Sequence, residues 1–515
     1  MKKIVSLSLV AATTMAFGST SSDLAAMKAE IAALKSEVAN LKKSGSAAEV
    51  KKLNKKINEV KAHDAGDNIK WGADVRTAID SINYDMADGS ERSKNDLMSL
   101  RLWLNMEYAP DNQNIFKGQL SMNKAFGADF AGNSGYYPRG WGMDSFDWVT
   151  NEALAGDDLK VRQAYWLYLG EKAFGLDMPW TFSVGRRPST NGFLANLRDD
   201  DPEQSPLGHI INVEFDGLSS KLDLSNVTGV TGMSFKLCMG QGSTNAAPMF
   251  SRLDSTQYSN EDDVLNDIKL AGFIFEPYND GQYIVKTTAF RAYDLPGYDP
   301  MAMGAAMDGD PTTNPSMRQV GDMAGAALSV LVDGLGDEGI LAETKVFGSF
   351  AWSKTLPNAG EYMLGMPLMD MTDPMNPVYL GDEGAHAGES KTGTSYWIGT
   401  QIPVISDGVL GLEYNHGSRY WRPFDYAEDT MIGSKLAARG DAFEAYFTYQ
   451  LTEALSAQLR YTYIDYDYTG SNNFFAADGT PIKIADIKAG YWGEDMAAMT
   501  VDKAQDARFY IRYRF

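Results

Sequence analysis

From Ile69 onward, apolar and polar residues take turns along the chain. Trp71, Ala73, Val75, Thr77 and Ile79 alternate with Gly72, Asp74, Arg76 and Ala78. Met98, Leu100, Leu102, Leu104, Met106 and Tyr108 alternate with Ser99, Arg101, Trp103, Asn105 and Glu107. At the other end Phe509, Ile511, Tyr513 and Phe515 share one parity, and Arg508, Tyr510, Arg512 and Arg514 the other. A period of two sends successive side chains to opposite faces of a strand. Each such segment therefore predicts a strand with one apolar and one polar face. A soluble sandwich gives the same alternation, so other features must decide between the two.

Three features favour a closed barrel in a membrane. Strands of about ten residues recur through residues 69–515, as spanning strands must. Aromatics gather at strand ends, as at Tyr461, Tyr463, Tyr466 and Tyr468, where interfacial girdles lie. Connections alternate between short and long. The short ones fall near Pro110–Gln113, Glu171–Met178, Asn226–Val230, Pro277–Gly281, Gly334–Ile340, Val404–Gly408 and Leu451–Ala454. Long polar loops are expected at 126–159, 188–207, 241–265, 294–322, 356–392, 421–440 and 469–505, with a shorter one at 85–94. Seven short turns predict sixteen antiparallel strands with both barrel ends on the short-turn side. Reading 208–225 differently gives 14 or 18.

Before Ile69 the period changes. Leu24, Met27, Ile31, Leu34, Val38 and Leu41 form an a/d seam, and Val50, Leu53, Ile57 and Val60 follow Ser44-Gly45-Ser46. That spacing predicts a short α-helical coiled coil over 19–62, with a linker at 63–68. Its seam needs partner helices, and a homotrimer fits its mixed isoleucine and leucine. The bland reading is one amphipathic helix folded back on the barrel. Lys2 and Lys3, the apolar stretch Ile4–Phe17 and the small residues around Ala16-Phe17-Gly18 read as a signal peptide over 1–18.

The terminal segment DARFYIRYRF, ending on Phe515, resembles the strand by which barrel-assembly machinery recognises outer-membrane clients. With the strand pattern, it makes the chain similar to bacterial porins. The order of leader, coiled coil and barrel resembles coiled-coil-tethered porins and the predicted porins of uncharacterised function. The resemblance implies a Gram-negative outer-membrane location, contact with lipid and lipopolysaccharide, and a periplasmic N-terminal segment. It also implies an assembly signal at Phe509, Ile511, Tyr513 and Phe515. A peptidoglycan or periplasmic partner for the coiled coil is an expectation without a recognisable binding domain. In sixteen-stranded porins the third loop enters the pore and sets acids opposite an arginine ladder. By that likeness, Asp199, Asp200, Asp201 and Glu203 would face Arg187 and other wall arginines.

Charge adds to the picture. Acids outnumber bases 68 to 46, for a formal charge of −22, which argues against nucleic acid as a partner. Charge is costly on a lipid face, so the arginines that follow the polar parity are expected to point inward. These are Arg76, Arg101, Arg162, Arg187, Arg419, Arg460, Arg508, Arg512 and Arg514. Loop 126–159 carries Asp129, Asp144, Asp147, Glu152, Asp157 and Asp158 against Arg139 alone, and would draw cations. The DDDPE run at 199–203 is also a candidate for surface Ca²⁺ or for a solvated tip. The methionines at 363, 366, 369, 371 and 375 offer thioethers for Cu(I), or simply adaptable packing. One cysteine, Cys238, and four scattered histidines supply no Cys/His metal spacing. No nucleophile motif accompanies His209 or His416, both on expected strands, and no P-loop or HExxH occurs, so no enzyme is expected. The leading reading is passive diffusion of ions and small polar solutes. The alternative is an envelope tether or adhesin that uses the barrel only as an anchor.

Overall fold

The computed structural model describes residues 69–127, 156–187, 189–245, 265–298, 317–365, 387–425, 430–471 and 479–515, with a few residues between. The coiled-coil and signal-peptide segments lie outside the described residues. Sixteen long strands close into one antiparallel barrel among the described residues. They are β1 Lys70–Met86, β2 Glu91–Tyr108, β3 Asn114–Ala125 and β4 Lys160–Gly170. Next come β5 Trp180–Arg187, β6 Phe215–Asp223, β7 Ser234–Ser243 and β8 Ile268–Asn279. Then follow β9 Tyr283–Tyr298, β10 Met317–Asp333, β11 Lys345–Pro357 and β12 Thr392–Ile405. The last four are β13 Gly408–Gly417, β14 Gly440–Gln450, β15 Leu455–Tyr466 and β16 Val501–Arg514. Each pairs with its neighbour in sequence, and β16 closes on β1 through Thr77↔Ile511 and Arg76↔Arg512. Phe475–Ala476 adds a short parallel pair at the end of β9.

The alternation in sequence becomes the two faces of the wall. Ile79, Leu328, Phe350, Leu459, Phe509 and Ile511 are exposed on the outside. Left in water, so large an apolar belt would cost about 25 cal/mol per Å². A belt of this kind suits a lipid solvent. Trp71, Phe116, Trp166, Tyr278, Tyr283 and Tyr513 ring the short-turn end; Tyr293, Tyr396, Phe443 and Tyr461 ring the other, all exposed. Among the described residues no helix is long and apolar enough to cross a membrane.

The seven expected short turns are the observed ones, and 208–225 divides at Glu214. The loop after β5 runs on to Glu214, and β6 starts at Phe215. The expected loop at 85–94 is instead mostly strand. Asn83↔Ser93, Tyr84↔Arg92 and Asp85↔Glu91 pair, and Asp88 accepts the Ser90 N–H at 2.8 Å to close the turn. This hairpin is polar because much of it is exposed, and polarity alone imitates a loop.

The polar faces of the strands are expected inside, and one side of the lumen departs from that. The inward positions Leu270, Phe290, Met323, Leu331, Phe347 and Trp397 are buried against Phe193, Leu194, Ile210, Trp421, Phe424 and Leu436 of inward-folded loops. Loops following β5 and β13 thus cover the wall of β8–β12 with an apolar core. Close approach depends on bare wall positions. A Cβ at Gly393 would stand 2.3 Å from Trp421 Cα, and one at Gly417 would stand 2.0 Å from Ala438 O. A Gly393→Ala substitution is expected to lift loop 418–439, at a cost of about 1–3 kcal/mol. Limited proteolysis should then cut this loop faster while the barrel keeps its heat-modifiable gel mobility; an unchanged rate would show that the backbone gives way.

Candidate pore constriction

Loop 188–214 leaves β5 and crosses the lumen. Near its root Arg162 Nη2 donates to Thr190 Oγ1 at 2.6 Å, and the Asn191 N–H donates to Asn212 Oδ1 at 2.9 Å. Gly192–Phe193 pairs with Gln204–Leu207, which folds the loop on itself. Asn191, Leu194 and Asp200 adopt positive φ, the price of turning the chain sharply with side chains other than glycine. The tip then docks on the far wall. Gln401 Nε2 donates to Leu197 O at 2.7 Å, and Gln458 Nε2 to Arg198 O at 2.9 Å. Tyr510 OH donates to Asp199 Oδ1 at 2.8 Å, and Arg512 Nη1 to Asp199 O at 2.6 Å. Arg512 also pairs with Asp201, and Arg514 Nη2 with Asp200 Oδ2 at 2.9 Å.

On its way back the loop pairs Glu203 with Lys286. His209 reaches Ser349 Oγ at 2.7 Å and Ser395 Oγ at 2.9 Å. His209 therefore lies on this loop and not on the strand its sequence suggested. Its imidazole is buried between Trp397 and Trp421, each ring 5.7 Å away. Burial pushes its pKa down to about 3, because desolvation disfavours the charged ring.

Loop 418–439 is pinned beside it. Lys435 Nζ lies 2.7 Å from Glu413 Oε2 and also pairs with Glu444. Glu444 additionally receives Arg198 from loop 188–214, at 3.4 Å. Both infolded loops thus meet at one wall carboxylate. Arg439 binds the carbonyls of Trp421, Thr469 and Gly479 at 2.8–3.0 Å, tying in the loop after β15. That loop contains helices α1 Ile484–Lys488 and α2 Glu494–Met499.

The registers put Arg460 directly beside Arg508. Arg76 stands between Arg512 and Arg101 on adjacent strands. This makes two arginine rows on the wall of β15, β16, β1 and β2, and all five side chains are buried in the lumen. Arg162 sits at a bulge opposite Gln119, with its Nε 3.2 Å from Glu214. Arg101 and Arg162 lie over the Trp103 ring at 3.6 and 4.2 Å. Arg187 faces the Tyr165 ring from β5. Arg419 lies past the end of β13, against Tyr420 and Tyr468, and so belongs to a loop rather than to the wall.

Sequence reasoning missed the wall carboxylates that answer these arginines. Arg512 Nε lies 2.9 Å from Asp74, Arg101 Nη2 lies 3.5 Å from Asp74, and Arg508 Nε lies 2.5 Å from Asp80. Their parity carried the signal: Asp74 and Asp80 are in step with Arg76. Asp199 and Asp201 touch the wall rather than standing across a gap from it. The DDDPE carboxylates turn to cations of the wall rather than toward one another: Asp200 and Asp201 to Arg514, Asp201 also to Arg512, and Glu203 to Lys286. The one convergent ligand group among the described residues is His416, Asp441 and Asp467. The copper candidates beyond Met363, and the acids of loop 126–159 up to Glu152, lie outside the residues whose side chains are described. Asp157 pairs with Lys124 at 3.1 Å.

Residues 91–515 match the model of a family described as Protein of unknown function (DUF3373). No curated protein sequence matches the chain. Among solved structures it is similar to Salmonella typhi OmpF in complex with daunomycin, at 11% identity and TM-score 0.40, covering 88% of this chain and 99% of that one. It is similar to an anion-selective porin from Comamonas acidovorans, at 10% identity and TM-score 0.43, covering 87% and 99%. It is also similar to Pseudomonas putida OprB, at 12% identity and TM-score 0.44, covering 89% and 96%.

Proposed function

The chain belongs to the DUF3373 family of proteins of unknown function, and from the geometry of its lumen we propose that it is a porin-like channel of the Gram-negative outer membrane. Ions and small polar solutes would diffuse along the charged side of the lumen, past the tip of loop 188–214. The observation that carries this reading is a closed barrel, apolar outside, whose interior holds buried arginine rows and a loop docked across it. A barrel serving only as an anchor has no need of charge in its interior, where every ion must be paired. Sixteen-stranded barrels have the diameter for an aqueous channel. Loops packed against the inner wall narrow this one, so the expected unit conductance is small.

In this reading the short turns face the periplasm, and residues 1–18 direct export. The coiled coil of 19–62 joins three copies beneath the membrane and meets peptidoglycan or another periplasmic partner. Phe509 to Phe515 present the assembly signal, and lipid and lipopolysaccharide surround the belt. Purified full-length protein in a planar bilayer should give stable small steps, with a reversal potential under a salt gradient. A folded, heat-modifiable barrel that carries no current would favour the anchor reading.

A further inference from the structure

Between loop 188–214 and the wall of β5–β9 lies a half-open cavity of about 60 Å³. Its floor is backbone, because Gly217, Gly240 and Gly272 face inward there. A Cβ at Gly217 would stand 2.1 Å from Met239 O. Its sides are apolar, with Ile211, Phe215, Leu270 and Phe290 among them. Two cations enter this apolar space, Arg187 from β5 and Lys236 from β7, and no carboxylate lines it.

Neither cation is neutralised in place. Arg187 Nε is buried without an acceptor among the described residues, and the guanidinium faces the Tyr165 ring. Lys236 Nζ donates to a neutral group, Ser205 Oγ, at 2.5 Å. Arg187, Lys221 and Lys286 stand around Lys236, all of them cations. The nearby acids Glu203 and Glu276 are taken up by Lys286. Half-buried like charges with no carboxylate in contact are costly, and an anion that joins them lowers that cost.

We infer that this cavity is a binding site for a small amphipathic organic anion, a short-chain carboxylate whose head meets Arg187 and Lys236 and whose tail lies on Phe215 and Leu270. The inference deepens the channel reading and rests on it, in that the ligand reaches the cavity from the lumen. It names a class of solute: organic anions with a short apolar part. A mineral anion would leave the apolar wall unused, and a neutral alcohol would leave the cations unanswered.

Cys238, the chain's one cysteine, lines the same cavity and serves as a reporter. The full-length protein in detergent is treated with sulfonatoethyl or trimethylammonioethyl methanethiosulfonate, each rate being normalised to that of a free small thiol. The normalised preference for the anionic reagent should be about tenfold or more. Butyrate at ten times its Kd should slow modification about tenfold, by simple occupancy, while butanol and butylammonium should not. Lys236→Gln and, separately, Arg187→Gln should each move the preference toward one and weaken protection, with heat-modifiable mobility confirming the fold. No charge preference, equal protection by butanol, or no reaction with either reagent overturns the site. Current through a barrel lacking the preference leaves the channel reading standing. Butyrate protection in a barrel without current leaves the site standing and removes the channel.

Discussion

Replacing Lys435 with methionine is expected to release two lumenal loops at once. Lys435 is the ammonium between Glu413 and Glu444, all three being almost fully buried. Methionine fills similar space but takes the closest cation from two buried carboxylates, leaving Glu444 with Arg198 at 3.4 Å and Arg460 nearby, and Glu413 with the Trp397 N–H at 3.0 Å. Removing one partner from such a buried set costs about 3–5 kcal/mol. The barrel itself is held by its continuous ladder of strand pairing, so the loss falls on the docking of loops 188–214 and 418–439. Single-channel recordings should show larger, noisier steps than the parent, and protease should reach both loops. A Lys435→Met/Glu413→Leu double variant should recover part of the quiet state, since it removes one stranded charge along with its partner. Unchanged conductance in the single variant would mean that these loops do not set the width of the path.

Acid is expected to act through His209. Its folded pKa is pushed down to about 3 by burial, from 6.5 when the ring is free. Above pH 6.5 the ring is neutral whether the loop is docked or withdrawn, and docking keeps its full strength. As the pH falls from 6.5 toward 3, the withdrawn loop takes up a proton that the docked loop refuses. Docking weakens by about 1.4 kcal/mol per unit through that window, on the order of 5 kcal/mol in all, and then levels off. Trp397 and Trp421 flank the ring, so their fluorescence should change in the same window. His209→Gln retains polar ends for Ser349 and Ser395 and should remove the pH dependence. A fluorescence change of equal size and midpoint in that variant would assign the transition to other groups.

Much of this architecture is legible in the chain. Strand parity predicted that Ile79, Leu100, Phe509 and Ile511 face outward and that Arg76, Arg101, Arg460 and Arg512 face inward, because a strand repeats every two residues whatever surrounds it. Turns were legible where Pro, Gly, Asn and Asp break the pattern, as at Pro277–Gly281. The exposed hairpin at 85–94 was misread because alternation fades where neither face is buried. Arg419 was misread because parity has no meaning past the end of a strand.

The sequence by itself determined the wall: which residues form strands, which face each side chain takes, and at which end the chain turns. Only the tertiary structure decided what fills it. Arg512 and Asp201 stand 311 residues apart along the chain, and no local period links them. The same is true of Arg198 with Glu444 and of His209 with Ser349 and Ser395. Strand order follows from short connections between neighbours. Loop docking instead follows from complementary charge, volume and bare glycine surfaces that meet only once the barrel has closed. That is why an acidic loop could be read in the chain, while its latch on Arg512 and the cationic cavity beside it could not.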